Sequence, residues 1–328
     1  MKHILVREFG GPENMVVEQA ADPEPAEGEV LVRHAFMGVN FADISQREGR
    51  SQGTGTQYET DLPYVPGNEA SGIVEKTGSG VTGFKLGDRI AYRGIFGAYA
   101  DMAIVPEESL VQVPDDIELR TAAALLTHGM TAHYVTHDAY PVAEGNWVLV
   151  HAAAGGTGGL VTQMAKFRGA TVVATASSTE KLDHARDLGA DHVIDYTKTD
   201  FEDACRAIPG FAGFHAVLDN VSAMTFERNL RLLRSLGTLV IFGASSGPIP
   251  PFDLQRLNAL GSLAIRRTNM KHYVATREAL ERRSEAVFAF VRKGLKITIA
   301  DDYPLADVAE AHDLITSRRS IGKVLLRP

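Results

Sequence analysis

The chain has 328 residues, 45% of them hydrophobic and 23% charged, the balance of a globular protein large enough to fold without covalent staples. Its formal net charge of −8 argues against general nucleic-acid binding, which needs a positive face to displace counterions, and against docking on anionic lipid. The single cysteine, Cys205, rules out an internal disulfide and a multi-thiolate metal site, no run reaches the roughly 18 apolar residues of a membrane span, and the charged start MKHILVREF is unlike a signal peptide, so a cytoplasmic protein is expected.

Residues 1 to about 120 read as short strands between turns. Strands are expected over 29–34 (EVLVRH), 70–75 (ASGIVE) and 101–105 (DMAIV), with turn signals at Glu27-Gly28, Pro66-Gly67, Gly78-Ser79-Gly80 and Gly87-Asp88. The stretch 49–56 (GRSQGTGT) reads as a surface loop, one use of which is a lid over a site. After residue 120 strands and helices alternate. Strands are expected at 147–152 (WVLVHA), 171–175, 192–194, 214–218, 238–242 and 262–266. Helices are expected at 160–168, at 180–188 with Gly189 as its stop, near 200–207 and at 223–235. A βαβαβ rhythm with β-branched strands is the pattern of a parallel, doubly wound sheet. A long amphipathic helix follows at 275–293, and the tail (ITIADDYPL, then KVLLRP) returns to strand composition. The expected fold class is α/β, with a doubly wound domain over 121–268 inserted between two segments, 1–120 and 269–328, of a β-rich domain.

The central motif is VLVHAAAGGTGG (148–159), in which a buried strand runs into a glycine cluster and a helix follows at once. Glycines let the backbone turn sharply and approach a pyrophosphate, while the helix N-terminus offers N–H donors and a favourable dipole. The G-x-G-x-x-G pattern is partly met, with Ala153 at the first glycine, Gly155 at the second and Gly158 at the third; Gly156 and Thr157 lie between. A structural turn alone would use the same glycines, but strand and helix both stand where dinucleotide binding needs them. An enzyme for NAD usually carries an acid at the end of the second strand, about 20 residues on, to hold the ribose 2′-hydroxyl. Here that place reads Ala176-Ser177-Ser178-Thr179, then Lys181. Hydroxyls and an ammonium suit a 2′-phosphate, hence NADPH; the serines would equally cap the next helix, and the two uses are compatible.

AAAGGTGGLVTQMAK (152–166) closely resembles the AAxGGVGxxAxQxAK signature of the zinc-independent quinone oxidoreductases, the zeta-crystallin branch of the medium-chain dehydrogenase/reductase superfamily. The resemblance extends over almost the whole chain, through GVNFAD (38–43), PYVPGNEASGIVEKTGSGVTGFKLGDRI (63–90), LLTHGMTAHY (125–134), FGASSGP (242–248) and the closing GKVLLRP. It implies a GroES-like catalytic domain and a Rossmann domain with the site in the cleft between them. It places Asn40 and Asp43 near the nicotinamide, Thr131 against nicotinamide or its ribose, and Ser177, Lys181 and Tyr196 around the 2′-phosphate. Asn220, Phe242, Gly243, Ser245 and Ser246 would line the cofactor, with Arg266, Arg267, Thr268 and Arg318 as further contacts. Relatives pair through edge strands of the cofactor domain, so a homodimer through 262–266, with apolar Leu263 and Ile265, is expected. The resemblance also implies an aromatic residue where this chain has Ser45, and hence a roomier pocket here.

Zinc-dependent members use cysteines and a His-Glu pair; Asn68-Glu69 stands in place of that pair, and no metal is expected. His133 and His137 lie four apart on a helix, a spacing that serves packing as readily as metal. Without a metal to polarise a carbonyl, the acceptor must be easily reduced, as quinones and α,β-unsaturated carbonyl compounds are, with Asn40, Asp43 or Ser45 giving or relaying a hydrogen bond. Asn40 and Asp43 would also serve simply to hold the turn after the preceding strand. Two other readings stay open at this point: an enoyl-thioester reductase of the same superfamily, and a non-catalytic NADPH-binding protein.

Overall fold

A computed structural model describes residues 1–54 and 58–328, in two compact units: Met1–Thr127 with Leu280–Ser284 and Ile297–Pro328, and His128–Ala279 with Glu285–Lys296. Part of the 49–56 loop, and with it the lid reading, lies outside the described residues.

The first unit opens with an antiparallel pair, β1 (Lys2–Val6) and β2 (Met15–Gln19). There follow β3 (Glu29–Val39), the short helix α1 (Phe41–Arg47), β4 (Glu69–Thr77), β5 (Arg89–Arg93), β6 (Met102–Pro106) and β7 (Leu110–Gln112). The expected strands are there, and α1 is an addition. Seven residues with three apolar positions give no readable period, and the helix is set instead by its start, where the Asp43 carboxylate accepts the N–H of Asn40 at 2.8 Å. The core gathers Val30, Val32, Met37 and Val39 of β3 with Ala70, Val74, Ile90, Tyr92 and Val105 of its neighbours. Helix α2 (Leu119–Tyr134) starts in this unit and ends in the second.

The second unit runs β8 (Trp147–Val150), α3 (Gly156–Phe167), β9 (Thr171–Ala176), α4 (Thr179–Asp187), β10 (His192–Asp195), α5 (Phe201–Arg206), β11 (Phe214–Asp219), α6 (Phe226–Leu232), β12 (Leu233–Ile241), α7 (Gln255–Ala259) and β13 (Ala264–Arg267). Its six strands are all parallel, in the order β10-β9-β8-β11-β12-β13. Val148, Leu149 and Val150 of β8 and Ala216, Val217 and Leu218 of β11 are wholly buried, as strands covered on both faces must be. The strand order reverses between β8 and β11, the switch point of the doubly wound sheet. The expected helix 223–235 stops at Leu232, and β12 begins at Leu233, earlier than the expected 238. A bulge at Leu236 (φ 65°), where the register against β11 shifts, masks the strand's period.

The chain then passes through α8 (Arg277–Arg292), β14 (Ile299–Pro304), α9 (Val308–Thr316) and β15 (Lys323–Arg327). β15 enters the interior of the first unit's sheet, parallel to β14 and antiparallel to β3, with Leu325 and Leu326 wholly buried. Among the described residues no helix is long and apolar enough to cross a membrane.

Candidate functional site

In the second unit, the loops leaving the carboxyl ends of the parallel strands carry most of the expected cofactor residues. After β8 the chain turns through Ala152 in the left-handed region (φ 49°) into Gly155, the N-cap of α3. A Cβ on Gly158 would lie 2.2 Å from the Ala152 carbonyl oxygen, so the third glycine is needed for the helix to approach the turn. Gly155 brings no side chain to the first-turn N–H groups of α3, which leaves them and the helix dipole to an anionic ligand.

At the end of β9, Ser178 caps α4, its Oγ accepting the N–H of Lys181 at 3.3 Å. Ser177 precedes it, and Lys181 sits half-buried in the first turn. Tyr196, 41% exposed, follows β10 and donates its N–H to the Ala176 carbonyl at 3.3 Å, so it stands beside the serines. Of the nearby acids, Glu180 stands exposed in the first turn of α4, and Asp195 is engaged by Thr197 and Lys198 and held below the usual carboxylate range, first by the Thr197 hydroxyl and then by Lys198.

The loops after β11 and β12 are locked together. Phe242 donates its N–H to Asp219 (2.9 Å), Ser245 to Asn220 (3.2 Å) and Ser246 to Val221 (2.9 Å), while Ser246 Oγ also donates to Val221 (2.7 Å). A Cβ on Gly243 would meet the Asn220 carbonyl oxygen at 2.6 Å. The Asn220 side-chain Oδ1 is buried with no hydrogen-bond partner among the described residues, an orphan that a ligand's polar atom would satisfy. After β13, Thr268 Oγ1 meets Tyr134 Oη at 3.1 Å. Arg266 and Arg267 spend donors on the carbonyls of Asp138, Ile241 and Thr268, so part of their work is structural. Thr131 is buried on α2, and Arg318 belongs to the first unit, exposed after α9 at φ 56°.

In the first unit, α1 and its neighbours build a buried polar cluster. Lys323, 1% exposed on β15, lies 2.7 Å from Glu69 Oε2, itself wholly buried at the start of β4. Lys323 Nζ also donates to Asn40 Oδ1 (2.8 Å), and Asn40 Nδ2 donates to Glu69 Oε2 (3.1 Å) and Gly38 O (3.3 Å). Glu69 Oε1 accepts the N–H of Thr127 at 2.6 Å. The Asn40 amide is thus fixed, with both N–H bonds used. Asp43 accepts from Asn40 N–H, Tyr99 Oη (3.1 Å) and Asn68 Nδ2 (2.5 Å), and Tyr99 Oη in turn meets His312 Nε2 at 3.1 Å. Burial pushes the Asp43 carboxyl up to about 7, against the pull of the Asn40 N–H, Lys323 and Tyr99. Burial also lowers His312 to about 3, aided by Arg47, and His34 to about 4. Ser45 is half-buried on α1, two residues beyond Asp43.

In the sequence Glu69 reads only as standing in place of part of the zinc enzymes' His-Glu pair, and Lys323, Tyr99 and His312 were not legible as site residues. The only signal was a charge inside an apolar strand, lysine in KVLLR, and strand interiors take charges only when those are paired.

Residues 26–115 match the family model described as the alcohol dehydrogenase GroES-like domain, and residues 156–285 the model described as zinc-binding dehydrogenase. The chain is similar to a 2-haloacrylate reductase of a Burkholderia species, 36% identical over 99% of this chain and 98% of that protein. The structure of the Escherichia coli quinone oxidoreductase complexed with NADPH covers 100% of both chains at 34% identity and a TM-score of 0.95. That of a mycobacterial protein complexed with NADPH does so at 39% identity and a TM-score of 0.93.

The zinc in the second model's description does not suit the donors present. Zinc sites are built from Cys, His and carboxylate. Here an ammonium already occupies Glu69, the Asp43 oxygens accept from an amide, an N–H and a phenol, and Asn68 offers an amide. Among the described residues no group of three His, Cys, Asp or Glu side chains is placed to hold a metal ion. His133 and His137 stack on each other at 4.2 Å and meet Phe290 edge-on, the packing use of their spacing.

Proposed function

Because the chain belongs to the quinone oxidoreductases of the medium-chain, zinc-binding dehydrogenase family, we propose that it reduces quinones and α,β-unsaturated carbonyl compounds with NADPH and without a metal. The observation that carries this reading is the glycine turn after β8, at the switch point of the sheet, opening on a helix whose N-cap is glycine. NADPH, when bound, supplies a hydride.

The residues of the second unit divide the work of holding it. The 155–158 turn suits the pyrophosphate; Ser177, Lys181 and Tyr196, with no acid at the end of β9, suit the 2′-phosphate. Asn220, Phe242, Gly243, Ser245 and Ser246 suit the path between, with Thr131, Arg266, Arg267 and Thr268 as further contacts; we also propose Arg318, which belongs to the first unit, as one more contact. In the first unit, Asn40 and Asp43 fix the start of α1. Since both Asn40 N–H bonds are used, Ser45 Oγ is the hydroxyl we assign to hydrogen-bond the acceptor's oxygen. The reduction takes up one proton, and Asp43 is the carboxyl held ready to keep one near neutral pH. Quinones and enones suit such a site because the negative charge left by hydride addition is delocalised over the product, which then asks less of the protein than an isolated alkoxide would.

NADPH oxidation followed with 9,10-phenanthrenequinone, an enone and crotonyl-CoA in parallel tests the reading. Turnover with the first two and little with the thioester is expected. Preference for crotonyl-CoA would favour the enoyl-thioester reductase, and tight NADPH binding with no turnover would favour a binding protein. We further propose a homodimer through β13, and a cytoplasmic location.

A further inference from the structure

Beneath the cofactor loops of the second unit runs a buried chain of polar side chains that the reading above does not use. His151, between β8 and the glycine turn, meets Thr175 Oγ1 with Nδ1 at 2.9 Å and Asn229 Oδ1 with Nε2 at 2.8 Å. Asn229, on α6, donates Nδ2 to Asp219 Oδ2 at 3.0 Å. Asp219, the last residue of β11, also accepts from Val221 N (2.7 Å), Ser222 N (3.2 Å) and Thr225 Oγ1 (2.7 Å). Thr175, His151, Asn229 and Asp219 are all buried.

For a neutral imidazole and an ionised Asp219, the partners leave one consistent set of protons. A carboxylate only accepts, so Asn229 must turn its NH2 toward Asp219 and its oxygen toward His151. That oxygen also only accepts, so His151 must carry its proton on Nε2. Nδ1 is then bare and accepts from the Thr175 hydroxyl. Every bond points the same way, from Thr175 through the ring and the amide to Asp219. A directed chain of this kind is cooperative, and it has no second arrangement to fall into without leaving a buried group unpaired.

The chain adjoins two non-glycine residues in the left-handed region, Ala152 (φ 49°) next to His151 and Ser222 (φ 79°) held by Asp219. Such conformations persist only where surrounding contacts over-determine them. The two turns are those that carry the 155–158 glycines and Asn220. We infer that Thr175, His151, Asn229 and Asp219 are positioning residues that set the glycine turn and the 219–222 turn in register for one cofactor. This rests on the NADPH reading above.

Thr175→Val keeps the shape and removes the hydroxyl that fixes His151, while Thr175→Ser restores it. NADPH and 2′-AMP are titrated against parent and variants; 2′-AMP reports the end of the site around Ser177 and Lys181, away from the two turns. Thr175→Val should weaken NADPH binding about tenfold, the size of one buried hydrogen bond lost. It should leave 2′-AMP binding within about twofold, with Thr175→Ser close to the parent. NADPH binding unchanged in folded Thr175→Val, whatever happens to its melting temperature, overturns the inference and leaves the cofactor reading standing. A parent that binds neither ligand overturns both. Should the valine variant not fold, the ring nitrogens of His151 in the parent decide the matter by 15N NMR. A protonated Nε2 and a bare Nδ1 are expected, and the opposite tautomer overturns the chain.

Discussion

Three side chains carry most of the chemistry that can be tested by substitution. Lys181 stands in the first turn of α4, just after a β9 end that carries no acid, so an ammonium beside a 2′-phosphate is the expected contact. Hydrogen bonds to charged groups contribute about 1.5 to 3 kcal/mol, or roughly 10- to 100-fold in affinity. Lys181→Ala should weaken NADPH by that factor and leave NADH nearly unchanged; equal losses in paired titrations would assign Lys181 to the fold. Where the resemblance implies an aromatic residue this chain has Ser45, so Ser45→Tyr should lower kcat/KM for phenanthrenequinone roughly tenfold more than for benzoquinone. Equal effects would remove residue 45 from the pocket wall. Asp43 has a signature in stability. Its carboxyl is raised from 3.8 to about 7, so it favours the fold fully below 3.8, and that contribution is lost as pH rises through 7. His34 and His312 act oppositely, their contribution being lost as pH falls below 6.5 toward about 4 and 3. Comparing parent with Asp43→Asn cancels the histidines. The variant should gain on the parent between pH 5 and 7 by about 1.4 kcal/mol per pH unit, read from urea midpoints. A difference that does not change with pH would mean that Asp43 is ionised throughout.

At the scale of elements, what was legible in the sequence was local. Strand, glycine turn and helix from 147 to 167 adjoin one another, and each constrains the next, so the motif could be read directly. α1 was not legible, being too short for a period, and the start of β12 was hidden by the bulge at Leu236. The Glu69–Lys323 pair spans 254 positions, and no local pattern records it. The edge strand β13 was found within two residues, yet its expected stickiness needs revision. Leu263 is buried in the unit's own core and Ile265 packs against it, so the open edge offers backbone groups with Ala264, Arg266 and Arg267. Pairing with a second copy through those groups should give a light-scattering mass near twice the 35.4 kDa of the chain. A mass of 35.4 kDa at micromolar concentration would refute the dimer.

For the molecule as a whole, the family's metal is the sharpest question. The buried acids of the first unit are satisfied by an ammonium, amides and a phenol, a set that a divalent ion would have to break. Dialysis against EDTA should therefore leave NADPH-dependent turnover unchanged. Stoichiometric zinc by elemental analysis, with turnover lost on chelation, would overturn this.

The path of the chain also sets an order in time. β15 lies between β14 and β3, and Lys323 upon it neutralises Glu69, 254 positions earlier. At roughly 5 to 20 residues per second of synthesis, about 13 to 50 s separate the two partners as they leave the ribosome. The second unit's sheet, drawn from 147 to 267, is fully synthesised within that interval. Until β15 emerges, Met37, Gly38 and Val39 of β3 lack their partner on that side, an open strand edge beside an uncompensated acid.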